Sequence, residues 1–125
     1  MSPVNSPKVN IVINQPDTAN NYQKIDLDGE IDRDTLPSLR EELESYLVNF
    51  QGVNLVIDLQ NLTFINSEGI GYLSDIHNRF VVQNKHVYII NTSPRIMDIF
   101  QLVGLNQIIP CAANIEELMN LIKTK

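Results

Sequence analysis

The stretch VIDLQNLTFINSEGIGYL, residues 56–73, decides how this chain folds. Its beginning completes VNLVIDL, Val53–Leu59, a β-branched apolar run too short for a helix and suited to a central strand. A brief loop through Asn61 and Thr63 follows. Asn66-Ser67-Glu68 then reads as a helix start, with Asn66 as N-cap, Ser67 at N1, and Glu68 at N2 where negative charge is favoured. Ile70, Leu73, Ile76, His77 and Phe80 recur at helical spacing, which carries the helix to about Gln83. The start is poorly made in one respect. Gly69 and Gly71 lie in the first turn, and each glycine costs a helix about 1 kcal/mol relative to alanine. Bare backbone there permits close approach by another molecule.

Upstream, Val9–Ile13 reads as a strand, with a turn at Gln15-Pro16-Asp17 and Asn20-Asn21. Tyr22–Leu27 alternates polar and apolar as a half-buried strand that Asp28-Gly29 interrupts. Leu36, Leu39, Leu43, Leu47 and Phe50 then form a helical stripe, with Pro37 in the first turn and Gly52 as the stop. Downstream, Asn84-Lys85 turns into the strand HVYII, residues 86–90. Ser93-Pro94 caps a helix whose Ile96, Ile99, Phe100 and Val103 face inward and which ends at Gly104. Ile108-Ile109 reads as a short last strand before Pro110. Asn114 and Glu117 form a capping box for a final helix through Leu118, Leu121 and Ile122, with Lys123 and Lys125 at its negative end.

Two strands followed by alternating helix and strand predict one α/β domain over residues 9–125, built on a mixed, mostly parallel β-sheet of about five strands packed with about four α-helices. Residues 1–8, with Ser2-Pro3 and Ser6-Pro7, are expected to be a flexible N-terminus.

Composition narrows the function. The chain has 125 residues, 43% of them hydrophobic, which is enough for one domain with a real core. Only nine Lys and Arg stand against fifteen Asp and Glu, a net charge of −6, so nucleic acid is not an expected partner. No apolar run approaches the roughly 18 residues of a membrane span, so no membrane insertion is expected. A single cysteine, Cys111, excludes an internal disulfide and suits a reducing cytoplasm.

Three chemical readings fail on their spacing. The run Asp26, Asp28, Glu30, Asp32, Asp34 suggests a calcium loop, but its glycine is misplaced and the position for the bidentate Glu is Pro37. A solvated acidic loop facing a basic partner fits it better. His77 and His86 lie on different elements without a Cys/His cluster, so no metal site is expected. Ser67 as a hydrolase nucleophile needs glycine two residues before it, where the chain has Ile65. A phosphate on Ser67 would instead meet the positive end of the helix dipole, a placement the fold tolerates. Its charge of about −1.5 to −2 would act on whatever docks there.

Three stretches in order resemble the STAS domains, and within them the bacterial anti-sigma factor antagonists: LDGEID at 27–32, VIDLQNLTFINSEGIGYL at 56–73, and SPRIMDIFQLVGL at 93–105. The resemblance implies a protein switch and not an enzyme, with no catalytic residue of its own. The unphosphorylated antagonist would bind an anti-sigma factor serine kinase and release a sigma factor. Phosphorylation of Ser67 would end that binding, and a serine phosphatase would reset it. No cofactor belongs to this chain on that reading, since ATP and magnesium sit on the kinase. Asp32 matches the family's acidic residue that meets the kinase, and the docking surface is expected to include Asn66, Ser67, Glu68, Gly69, Ile70 and Gly71. The chain departs from the family pattern in having Asn66 where Asp is usual and Glu68 where Ser or Thr is usual. Asn keeps the cap and removes one negative charge beside the serine, while Glu68 restores one on its other side. The alternative is a constitutive STAS interaction module, a scaffold of a signalling or lipid-transport complex in which Ser67 only helps to start a helix.

Overall fold

Alternation along the strands decides which side of the sheet each helix covers. The structure, a computed structural model, describes residues 8–123; residues 1–7 and Lys125, about which the sequence raised expectations, lie outside them. The elements run β1 (Val9–Ile13), β2 (Gln23–Ile31), α1 (Leu36–Val48), β3 (Asn54–Asp58), β4 (Leu62–Ile65), α2 (Ser67–Val82), β5 (His86–Ile90), α3 (Pro94–Val103), α4 (Leu105–Ile108), β6 (Cys111–Ala112) and α5 (Ile115–Lys123). Ile25, Leu55, Ile57, Val87 and Ile89 point to one face, where α1, α2, α3 and α4 bury Leu39, Leu43, Leu73, Phe100 and Leu105. Val56, Tyr88, Ile90 and Ala112 point to the other face, which Leu118 of α5 covers. β3 is buried on both sides, which is why VNLVIDL reads as a continuous apolar run.

The strand order is β1-β2-β3-β5-β6, with β1 antiparallel to β2 and the remaining pairs parallel. β2 is the longest strand, and one of its edges is shared. Residues Gln23–Asp26 pair with β3, and Gly29–Ile31 pair with β4. β1 occupies the opposite edge along Ile25–Gly29. The mixed, mostly parallel sheet and the α/β class are as expected, with one strand and one helix more.

The additional strand is β4, in part of the stretch read as a loop. β3 leaves β2 at Asp58, and the vacated edge is filled by Leu62–Ile65, a segment too short to show a strand pattern of its own. Asp28-Gly29 does not interrupt β2; the strand passes through with a register shift between Gly29 and Glu30. Gly29 has φ +105°, and a Cβ there would lie 2.1 Å from the carbonyl oxygen of Lys8. Only glycine fits, both for its backbone angle and for the closeness of β1.

Two ends differ as well. α1 stops at Val48 with Asn49 as its C-cap, so Gly52 does not close it. Phe50 lies beyond the helix, folded back into the core against Phe80 with ring centroids 5.3 Å apart. Ile108-Ile109 is not a strand either. Leu105–Ile108 forms the short α4, and the last strand shifts to Cys111–Ala112, where it pairs with β5. By contrast, Gly104 does end α3, in the left-handed conformation at φ +82°.

α1 and α2 are tied across their outer faces. Arg79 grips Glu44 through its two terminal guanidinium nitrogens at 2.8 and 2.7 Å, and the Tyr72 hydroxyl donates to the same carboxylate at 2.6 Å. The Arg79 hydrogen bonds, chiefly, and the Tyr72 hydroxyl pull the Glu44 carboxyl from 4.5 to about 2, against the opposing effect of burial. A folded-state pKa below the unfolded one means that the stabilisation is complete above about 4.5 and is lost as pH falls towards 2.

Two outcomes follow from these contacts. Gly29→Ala should lower the unfolding free energy by about 1–3 kcal/mol in urea titrations, because the added methyl meets strand backbone. Glu44→Gln should flatten the decline in stability between pH 4.5 and 2 relative to the wild type, measured by urea unfolding at each pH.

Candidate functional site

Parallel pairing places the site at the carboxyl ends of β2 and β4. Ile31 is the register partner of Ile65, and the Asn66 N–H donates to the Ile31 carbonyl at 2.9 Å. The next residues out from the two strands are therefore neighbours, Asp32 on one side and Asn66-Ser67 on the other. Nothing in their sequence separation required that meeting.

Asn66 is the N-cap of α2, extended at φ −92° and ψ 177°, with its side-chain oxygen accepting from the Gly69 N–H at 2.8 Å. Its carbonyl takes the Ile70 N–H at 3.0 Å. Ser67 follows at N1, exposed, with exposed Glu68 at N2. The N–H groups that open the helix give that end partial positive charge.

Asp32 is half-buried and organises its own turn. Its Oδ1 accepts from the N–H groups of Asp34 and Thr35 at 2.9 and 3.0 Å. The Thr35 hydroxyl donates to the Glu30 carbonyl at 2.7 Å and accepts from the Asp32 N–H at 2.9 Å. A carboxylate so held still has lone pairs to offer an incoming donor.

The two glycines of the first turn do different things. Gly69 is buried, and a Cβ there would lie 2.7 Å from Ile31 Cγ2 and 2.8 Å from Ile65 Cγ1. Its missing side chain lets α2 sit tightly on the ends of β2 and β4, so it is not bare towards solvent as the sequence suggested. Gly71 is exposed, and a Cβ there would meet nothing within 4 Å. It lines an apolar depression of about 240 Å³ together with Ser67, Ile70, Ser74, Val103, Leu105 and Ile108.

The α3–α4 side of this depression escaped the sequence reading. Val103 falls by its helical spacing on the inward face of α3, yet it is 54% exposed, and Ile108 is 46% exposed. The available signal was a surplus: the helical stripe of α3 and the pair Ile108-Ile109 offered more apolar side chains than one buried face needs.

Other candidates take structural roles. Asp26 binds the Lys24 ammonium at 2.7 Å, and buried Asp58 binds it at 3.1 Å while also accepting from the Asn91 side chain at 3.1 Å. Burial opposes the charge on Lys24, but the hydrogen bonds it donates to Asp26 and Asp58 outweigh it and raise its pKa. The acidic run is thus divided between a strand and a turn. His77 lies ten residues along α2 from Ser67, about 15 Å at the helical rise. Burial pushes the Cys111 thiol up to about 11, which makes it inert as a nucleophile at neutral pH. No helix among the described residues is long and apolar enough to cross a membrane.

Comparison with known proteins bears on the family and the fold. Residues 13–118 match the profile of the family described as STAS domain. The chain is 31% identical over 112 residues to the anti-sigma-B factor antagonist of Listeria monocytogenes, covering 90% of this chain and 95% of that one. It superposes on an anti-sigma factor antagonist from Mycobacterium paratuberculosis with a TM-score of 0.79 at 20% identity, covering 98% and 99% of the two chains. It also superposes on the Bacillus cell fate determinant SpoIIAA in its phosphorylated form, with a TM-score of 0.63 at 18% identity, covering 90% and 99%. At those identities the two structures speak for the fold.

Substitution at the two glycines separates packing from surface. Gly69→Ala should destabilise by about 1–3 kcal/mol through overpacking against Ile31 and Ile65. Gly71→Ala should leave stability unchanged or raise it by up to about 1 kcal/mol. Thermal and urea unfolding of the two variants measure both effects.

Proposed function

This chain belongs to the STAS domain family, and from that premise we propose that it is an anti-sigma factor antagonist that works as a phosphorylation-controlled partner switch. The observation that carries this reading is the exposed Ser67 at the N-terminus of α2, between Asp32 and the apolar depression. In the unphosphorylated state the flat first turn, Asp32 and the depression form a docking surface for an anti-sigma factor serine kinase. The binding residues are Asp32, Asn66, Ser67, Glu68, Ile70 and Gly71, with Gly69 beneath them as the packing contact that holds the turn in place. The SpoIIAA structure in phosphorylated form supports a phosphorylated state for this fold.

In the transfer step, the Ser67 hydroxyl oxygen attacks the γ-phosphorus of the kinase's ATP. The new O–P bond forms as the bond to the bridging oxygen breaks, ADP leaves, and the hydroxyl proton passes to a base on the kinase. The product phosphate sits where the helix dipole favours it, so the antagonist keeps its fold. The docked partner meets the full cost instead, because about −1.5 to −2 of charge appears at a surface that had presented a neutral hydroxyl. Asn66 caps the helix as Asp would, without placing a second anion beside the phosphate. Glu68 does add one, and it lowers the local advantage. A serine phosphatase that returns the hydroxyl completes the cycle.

Incubation with a purified anti-sigma serine kinase from the same organism and Mg-ATP should add one phosphoryl group to the intact mass, and Ser67→Ala should abolish the gain. Ser67→Asp and Val103→Asp should each weaken kinase binding at least tenfold, about 1.4 kcal/mol, in titration calorimetry. An unchanged mass with a kinase active on its own substrate, together with binding indifferent to Ser67→Asp, would leave the constitutive scaffold as the function.

A further inference from the structure

We propose that the outer edge of β1 is a self-pairing edge, through which two copies of this chain join antiparallel into one continuous sheet. The phase of the β1–β2 ladder carries the inference. The Asn14 N–H donates to the Lys24 carbonyl at 3.0 Å, and the Glu30 N–H donates to the Lys8 carbonyl at 2.9 Å. In an antiparallel pair, hydrogen-bonded and non-hydrogen-bonded positions alternate, so Asn10 and Val12 also face β2. Val9, Ile11 and Ile13 then turn their N–H and C=O groups outward. Gly29, the register partner of Val9, agrees with this phase: its N–H points away from β1 and donates to the Asn61 carbonyl at 2.9 Å.

β1 is the first strand in the sheet order, and among the described residues nothing pairs with its outer side. Exposed edges in soluble proteins are commonly blunted by lysine, proline or an inward charge. Within Val9–Ile13, whose sequence is VNIVI, there is none of these, and Lys8 lies just before the strand. The outward groups are also symmetric. A two-fold axis through Ile11 sets Ile11 opposite its counterpart and Val9 of one copy opposite Ile13 of the other, with each pair exchanging two hydrogen bonds. Val12 and Ile13, 45% and 50% exposed, lose water in the process.

Charge selects the strength of the contact. Strand pairs across the seam carry no like charges, since no residue of β1 is ionised. Lys8 and Asp34 line a hollow together with Val9 and Asn10, however, and Glu41 and Glu42 lie one hollow further on. Ser38 shares one hollow with Val9 and Asn10 and another with Glu41 and Glu42. With a net charge of −6 on each copy, repulsion opposes association and salt relieves it. The seam is short, so the dimer is weak and dissociates in the micromolar range or above. β4 and Ser67 lie across β2 from the seam, which leaves the docking surface open in the dimer.

Analytical ultracentrifugation of the purified full chain from micromolar to millimolar concentration, paired with residue-resolved amide exchange, tests the proposal. The mass should rise to that of a dimer, more readily at 0.5 M salt. The amides of Val9, Ile11 and Ile13 should gain protection with concentration, while those of Asn10 and Val12 stay protected throughout. Ile13→Pro removes an outward N–H and leaves the β2 ladder intact, so it should weaken dimerisation at least tenfold with Asn10 and Val12 still protected. A monomer at all concentrations overturns the proposal. So does a dimer whose Val9, Ile11 and Ile13 amides exchange freely, or protection of those amides that does not depend on concentration. If Ile13→Pro does not fold, the exchange pattern of the wild type decides alone.

Discussion

β2 is longer than the strands beside it, and dividing one of its edges between β3 and β4 is the constraint on which the other features depend. Parallel pairing with β3 alone would leave Gly29–Ile31 half-paired at the carboxyl end. Filling that space with β4 satisfies the backbone and brings Asn66 to the Ile31 carbonyl. Asp32, Asn66 and Ser67 then lie at one end of the sheet. The shift in register that makes the division possible occurs at Gly29, with its positive φ and the Lys8 carbonyl close against it.

The candidate site has a rigid lower side and an open upper side. Below, Gly69 brings α2 onto Ile31 and Ile65, the Asn66 cap satisfies the first turn, and the Asp32–Thr35 turn is tied by four short hydrogen bonds. Above, Ser67, Glu68 and Gly71 are exposed beside a depression lined by Val103 and Ile108. Support from beneath holds the serine in place, and the lack of cover above leaves its hydroxyl open to solvent. Glycine thus has two functions in one turn, close packing at 69 and free space at 71.

The two outer parts of the molecule balance stability differently. α1 and α2 are joined by the Glu44–Arg79–Tyr72 cluster, whose partly exposed Glu44–Arg79 pair is sensitive to acid and salt while Tyr72 is buried. On the α5 face, Lys24, Asp26, Asp58 and Asn91 join β2, β3 and the end of β5 through partly buried polar contacts. These polar ties flank a core that is otherwise apolar on both sides of the sheet.

Periodicity and capping chemistry made most of the fold legible. The apolar run of β3, the stripe of α2, the Asn66 and Ser93 caps and the Gly104 stop are local signals, and local sequence determined them. The three stretches that resemble a known family also pointed to Ser67 and Asp32. Tertiary structure alone decided the rest, because each remaining feature depends on a neighbour distant in the chain. β4 is a strand because β2 has an edge to fill. Gly69 is required because Ile31 and Ile65 lie beneath it, and Val103 belongs to a surface because α4 takes the place of the expected strand. A side chain's type can be read from the sequence, but whether it meets solvent, a strand or a helix is settled only when distant segments pack together.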